Sequence, residues 1–293
     1  MGSSSRPALR ATRLVLAACA LWGACGTSDA DGEGSIVASV YPLEWAAARI
    51  AGGLSEVTNV TPAGAEPHDV ELTSDDLDAL EDAAVVLYIG GGFQPAVEEV
   101  AERREEGTLD VAQAAGGGDD PHVWLDPRRF ADAVDRIADT ISRGLGERDG
   151  AALADAAADL EADLRALDDE MRRGLSRCER RSFVTMHDAF GHLARRYDLE
   201  VFAVAGIAPE SEPDAARIRE LAELVESRGI TRVFAESAES EPLARTLARD
   251  AGVATGLLHT LETLPDDRRR AGDDYLDLMR ANLAALRDAL GCT

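Results

Sequence analysis

The sequence predicts an α/β protein, with two α/β lobes of mainly parallel sheets joined by one long helix. Three observations carry that prediction. From Ser35 onward, short apolar runs alternate with helix-like segments. Between about Asp149 and Arg177 the alternation stops, and apolar residues recur every three or four positions instead. Beyond that stretch the alternation resumes and continues to Leu290.

Residues 1–24 read as an export signal. Arg6, Arg10 and Arg13 precede an eleven-residue apolar run, Leu14 to Ala24, too short to span a membrane. The run ends at Cys25, and residues 25–35 form a polar tether with nothing to bury. This segment resembles a bacterial lipoprotein signal, which implies lipidation of Cys25. Leu16-Ala17-Ala18-Cys19 fits the lipobox better locally, but cleavage there leaves only about three apolar residues in the signal core. The expected location is therefore outside the cell membrane, lipid-anchored to its outer face or periplasmic. Cys178 and Cys292 remain as an even pair in an oxidising compartment, read as a disulfide, with two separate buried thiols as the alternative.

Residues 36–148 form the predicted first lobe. Ile36–Val40, Glu56–Val60, Ala84–Ile89 and Thr108–Val111 read as buried strands. Trp45–Ala51, Ser74–Leu80 and Gln94–Arg104 read as helices between them, and another opens at the cap Asp126-Pro127. Residues 149–177 form the connecting helix, with Leu153, Ala157, Leu160, Leu164, Leu167, Met171 and Leu175 on one face. A coiled-coil homodimer is the weaker alternative, since fewer than four heptads are present, so a monomer is expected. Residues 178–293 form the second lobe, with strands at Ser182–Thr185, Glu200–Val204, Arg232–Ala235 and Val253–Leu258. Helices at Ala189–Arg196, Asp214–Ser227, Pro242–Asp250 and Asp274–Leu290 complete it.

Composition excludes several classes of function. The 30 basic residues are all arginine and face 55 acidic ones, a net charge of −25 that repels nucleic acid. Aromatic residues make up only 4% of the chain, too few for a base-stacking or carbohydrate platform. Between Glu44 and Glu102, 13 carboxylates face the single Arg49, read either as a cation-attracting field or as a solvated surface. Gly90-Gly91-Gly92 lacks the lysine of a phosphate loop and reads as a turn.

The chemistry concentrates in the histidines. His68 and His122 fall in loops beyond strands of the first lobe; His187 and His259 follow strands of the second. Ligands of open α/β sheets bind beyond the carboxyl ends of strands, so this distribution suits a metal site between lobes. Imidazole nitrogens favour Zn²⁺ over Mn²⁺ or Mg²⁺. His192 lies within a predicted helix, facing solvent or the packing surface.

Four segments carry a family resemblance: Ala65-Glu66-Pro67-His68-Asp69-Val70-Glu71-Leu72-Thr73, Asp120-Pro121-His122-Val123-Trp124-Leu125-Asp126-Pro127, Val184-Thr185-Met186-His187-Asp188-Ala189-Phe190-Gly191, and Gly206-Ile207-Ala208-Pro209-Glu210-Ser211-Glu212-Pro213. They resemble the zinc/manganese solute-binding lipoproteins of bacterial metal ABC importers, in order, from about Ile36 to Cys292. The resemblance implies lobes bridged by a rigid helix, with the metal clamped in the interlobe cleft. It also implies permease and ATPase partners. It places ligands at His68, His122 and His187, the third being the position where manganese members carry a carboxylate. The fourth position falls within Leu258-His259-Thr260-Leu261, where the family shows aspartate or asparagine and this chain has His259. His259 is therefore the expected fourth ligand, closing a site of four nitrogens, with water or Glu66 as the alternative. Glu66 and Glu236 are candidates to offset charge or accept from a ligating imidazole; a helix N-terminal charge is the other reading of Glu236. The histidine-rich loop of many zinc members is replaced by Gly116-Gly117-Gly118-Asp119-Asp120.

The function expected from the resemblance is capture of Zn²⁺ and its delivery to an ABC import permease. A Mn²⁺- or Fe²⁺-binding homologue and a surface adhesin are the alternatives. A zinc hydrolase is disfavoured, since no general-base motif accompanies the histidines, and the chain is expected not to be an enzyme.

Overall fold

Short strands build two four-stranded parallel sheets, and the central strands Ile36–Ala38 and Val85–Tyr88 of the first are apolar runs of the kind a sheet covered on both faces requires. The computed structural model describes residues 1–2, 34–147, 149–207 and 215–293. The signal, the lipidation expected at Cys25, the alternative Cys19, most of the tether and residues 208–214, with the expected helix start at Asp214, lie outside the described residues. Both sheets belong to the unit Glu33–Thr293.

In the first lobe β1 (Ile36–Ala38), β2 (Val57–Asn59), β3 (Val85–Tyr88) and β4 (Thr108–Asp110) lie in the order β2-β1-β3-β4. In the second, β5 (Ser182–Thr185), β6 (Glu200–Ala203), β7 (Arg232–Ala235) and β8 (Ala254–Leu257) lie in the order β6-β5-β7-β8. Every pairing is parallel. In each sheet the winding reverses next to the first strand, opening a crevice at the carboxyl ends.

The helix Gly150–Leu175 has 26 residues, about 39 Å at 1.5 Å per residue. Its buried positions include all seven apolar positions that the periodicity marks. It packs against the helices Pro127–Gly144, Tyr41–Ala51 and Tyr275–Leu290, which come from both lobes. One apolar core therefore runs from Ile36 through Leu164 to Tyr275 without a break at the lobe boundary. Charged contacts reinforce it. Arg49 holds Asp163 at 2.7 Å, and buried Asp168 accepts from Arg196 Nε at 2.9 Å and from the Tyr197 hydroxyl at 3.1 Å.

Cys178 and Cys292, 114 residues apart, are joined by a disulfide that fastens the C-terminal segment to the chain entering β5. The first helix starts at Tyr41 rather than Trp45, because Pro42 is preset for the first helical turn. The structure adds a helix at Asp266–Ala271 to those expected; it buries no residue and so leaves no apolar period to read. Among the described residues no helix is long and apolar enough to cross a membrane.

Candidate metal centre

The loops beyond four strand ends converge between the lobes. His68 sits in a 3-10 turn, Pro67–Asp69, whose capping residue Glu66 accepts from the His68 backbone N–H at 3.4 Å. Its ring lies 4.3 Å from that of Phe93, centroid to centroid. His122 precedes a second such turn, Val123–Leu125, and Asp120 Oδ1 lies 3.1 Å from both its backbone nitrogen and its Nδ1. His187 follows β5 directly. Glu236, just beyond β7, accepts from the backbone N–H groups of Met186 and His187 at 2.8 and 3.1 Å, and also meets His187 Nδ1.

The fourth member is Glu262. One ligand atom from each of His68, His122, His187 and Glu262 lies within 4.8 Å of all the others. Glu262 Oε1 is 3.7, 3.2 and 3.4 Å from Nε2 of His68, His122 and His187. Zinc bonded to nitrogen and oxygen at about 2.0–2.1 Å separates its tetrahedral ligands by about 3.3 Å, so these spacings suit one ion. Eight buried side-chain nitrogen or oxygen atoms among the described residues lack a hydrogen-bond partner; the three Nε2 atoms and Glu262 Oε1 are four of them. Unpaired polar atoms gathered in one buried place are costly unless something binds them, and the donor set fits a divalent cation.

Electrostatics point the same way. Burial opposes charge on Glu262, yet the imidazoles of His122, His187 and His68 gathered around it outweigh burial and hold the carboxyl well below its usual range. Burial also opposes protonation of His187, but Glu236 and Glu262 overcome it and raise its pKa well above the ordinary value. His122 is raised too, with Asp120 and Glu262 outweighing burial. A carboxylate behind an imidazole Nδ1 fixes the tautomer that presents Nε2 to a metal, and Asp120 and Glu236 stand in that position.

His259, the expected fourth ligand, does not join the group; this is a correction. Its backbone N–H and carbonyl are both bound by the Asn282 amide at 2.7 Å. Burial, with Arg268 adding to it, lowers its pKa to about 4, so the ring is a neutral buried side chain. The residue that joins the three histidines lies three positions further along, in His259-Thr260-Leu261-Glu262-Thr263-Leu264. An acidic residue inside that otherwise uncharged run is the signal that could have revealed it. The group thus holds three imidazoles and one carboxylate rather than four nitrogens. Glu66 is exposed and caps the turn carrying His68, outside the four-residue group. His192 is buried, and its Nε2 lies 2.9 Å from the Asp120 carbonyl oxygen.

Two parallel-sheet lobes closed around a buried three-histidine, one-carboxylate group define a two-lobed solute-binding protein with a metal-type site. The family described as zinc-uptake complex component A, periplasmic (ZnuA) matches residues 36–289, and the chain belongs to that family. It is 33% identical over 299 residues to the zinc-binding lipoprotein AdcA of Streptococcus pneumoniae, covering 94% of this chain and 60% of AdcA. The chain thus spans about 60% of the length of that relative. It is 30% identical to the high-affinity zinc uptake system protein ZnuA of Bacillus subtilis, covering 94% of this chain and 96% of that protein. The crystal structure of the Zn(II)-bound ZnuA-like domain of S. pneumoniae AdcA is similar in fold. Its TM-score is 0.76 at 33% identity, over 88% of this chain and 99% of that one.

Proposed function

We propose that this chain captures Zn²⁺ outside the cell membrane and hands it to the permease and ATPase of an ABC importer. His68, His122, His187 and Glu262 are the ligands in this reading. The convergence of their four unpartnered atoms is the observation that carries it. Three imidazoles favour zinc over manganese, and His187 stands where manganese members carry an oxygen ligand. Four protein ligands complete a tetrahedral shell and leave no open position for an activated water, so the site binds and does not catalyse. Family membership and the zinc-bound relatives support the transport role.

The protein is a lipid-anchored monomer in this reading, attached through Cys25. Mass spectrometry of the N-terminal peptide is expected to show diacylglyceryl-Cys25, and lipid on Cys19 would contradict it. Elemental analysis of purified protein, with competition among Zn²⁺, Mn²⁺ and Fe²⁺, tests the cargo. One equivalent of zinc retained against excess manganese is expected. Manganese or iron displacing zinc would overturn the assignment.

A further inference from the structure

Glu262 belongs by sequence to the second lobe, but its loop is bonded to the first. The Trp124 indole N–H donates to the Thr260 carbonyl at 2.7 Å, and the Tyr41 backbone N–H donates to the Glu262 carbonyl at 3.2 Å. One residue earlier the attachment changes sides, since His259 is held by Asn282 on the helix Tyr275–Leu290. Between the two first-lobe bonds, at Thr260 and Glu262, is Leu261, buried with φ of 61°, which turns the chain so that Glu262 faces the histidines. The Thr260 hydroxyl then donates to Glu262 Oε2 at 2.9 Å, leaving Oε1 alone to face them.

Trp124 is the common element. It is fully buried, two residues after His122 in the same short turn. Its carbonyl accepts from the Tyr275 hydroxyl at 2.5 Å, and Tyr275 is stacked on Trp45 with ring centroids 4.6 Å apart. A tryptophan buried this deeply needs a partner for its N–H, and here the partner is the backbone that aims the carboxylate.

We propose that Trp124 is a positioning residue that sets Glu262 at a fixed separation from His122. The two ligands then form one preset half of the site, and His187 with Glu236 forms the other. This inference rests on the zinc-binding reading above, but part of its test needs no metal.

The experiment is a mutant cycle. Zinc affinity is measured by chelator competition for wild type, Trp124→Phe, Glu262→Ala, His187→Ala and the two double variants containing Trp124→Phe. In parallel, hydrogen exchange of the peptide spanning residues 258–264 is followed in the metal-free proteins. Trp124→Phe alone is expected to weaken zinc binding at least tenfold, about 1.4 kcal/mol. In the His187→Ala background the same tenfold is expected; in the Glu262→Ala background, less than twofold. Exchange in 258–264 is expected to quicken at least tenfold while the β5 peptides stay unchanged. An equal affinity loss in both backgrounds, or unchanged exchange in 258–264, would overturn the proposal. If Trp124→Phe does not fold, Tyr275→Phe removes a single hydroxyl and carries the same cycle, with about a threefold loss expected. The wild-type titration judges the zinc reading separately: no zinc bound there, together with quickened exchange in Trp124→Phe, would sink that reading and leave the positioning role standing.

Discussion

His68 and His122 hang from 3-10 turns in long loops beyond β2 and β4, while His187 follows β5 immediately and rests on a carboxylate one strand away. The sheets behind them have the same strand order, so topology alone does not set how firmly each histidine is held. What differs is the support. Glu236 takes two backbone N–H groups as well as His187 Nδ1, and Asp120 takes one as well as His122 Nδ1. His68 Nδ1 has no partner, and its ring is placed by packing on Phe93. The second lobe also carries the disulfide. A histidine fixed at a strand end thus faces two held on loops, and of these His68, placed by packing alone, is the one freest to adjust to an arriving ion.

The contrast between the lobes should shrink most when the covalent tie is removed. Closing a loop with a separation of 114 residues is worth about 4–5 kcal/mol by chain entropy, so Cys178→Ser with Cys292→Ser should lower stability by up to that amount. Denaturant unfolding checks the size, and hydrogen exchange checks that the loss concentrates in the second lobe.

Next in size is the ligand exchange between neighbours in one loop. Glu262→Ala should weaken zinc binding at least a hundredfold, about 2.7 kcal/mol, whereas His259→Ala should change it less than threefold. Calorimetric or chelator titration of both variants decides between them. Removing the acceptors behind the imidazoles should cost less, about ten- to a hundredfold each. Glu236→Gln should sit at the upper end and Asp120→Asn at the lower, because Glu236 holds one more backbone donor. The reverse order would mean that the first lobe is the rigid half.

The smallest effect concerns protons. His187 and His122 have pKa values raised above the ordinary 6.5 in the metal-free protein, so an incoming cation must displace protons from them. Zinc affinity should therefore begin to fall above pH 6.5 on acidification, and titrations in buffers of different ionisation enthalpy should show net proton release at neutral pH. Stability of the metal-free protein runs the other way. A raised pKa contributes stability that is complete below the unfolded value and disappears as pH rises through the folded one.

Much of this arrangement is legible in the sequence. Apolar runs locate all eight strands to within two residues, and the 3.6-residue period locates the connecting helix, because both patterns record burial directly. Three of the four grouped residues are readable as histidines in loops beyond strand ends. Glu262 is not, because a carboxylate is common on surfaces and its loop offers a histidine three residues earlier. The Asn282 amide, 23 residues away from His259, the Trp124 indole bonded to Thr260 and the left-handed turn at Leu261 decide which of the two faces the cleft. Such long-range backbone capture leaves no periodic trace in the sequence.

Coordination of a single zinc by three imidazoles and one carboxylate is tested most directly by X-ray absorption at the zinc edge of protein loaded with one equivalent. Four nitrogen or oxygen neighbours at about 2.0–2.1 Å are expected, with outer-shell scattering from three imidazole rings. Scattering from four rings, reduced to three by His259→Ala, would contradict it.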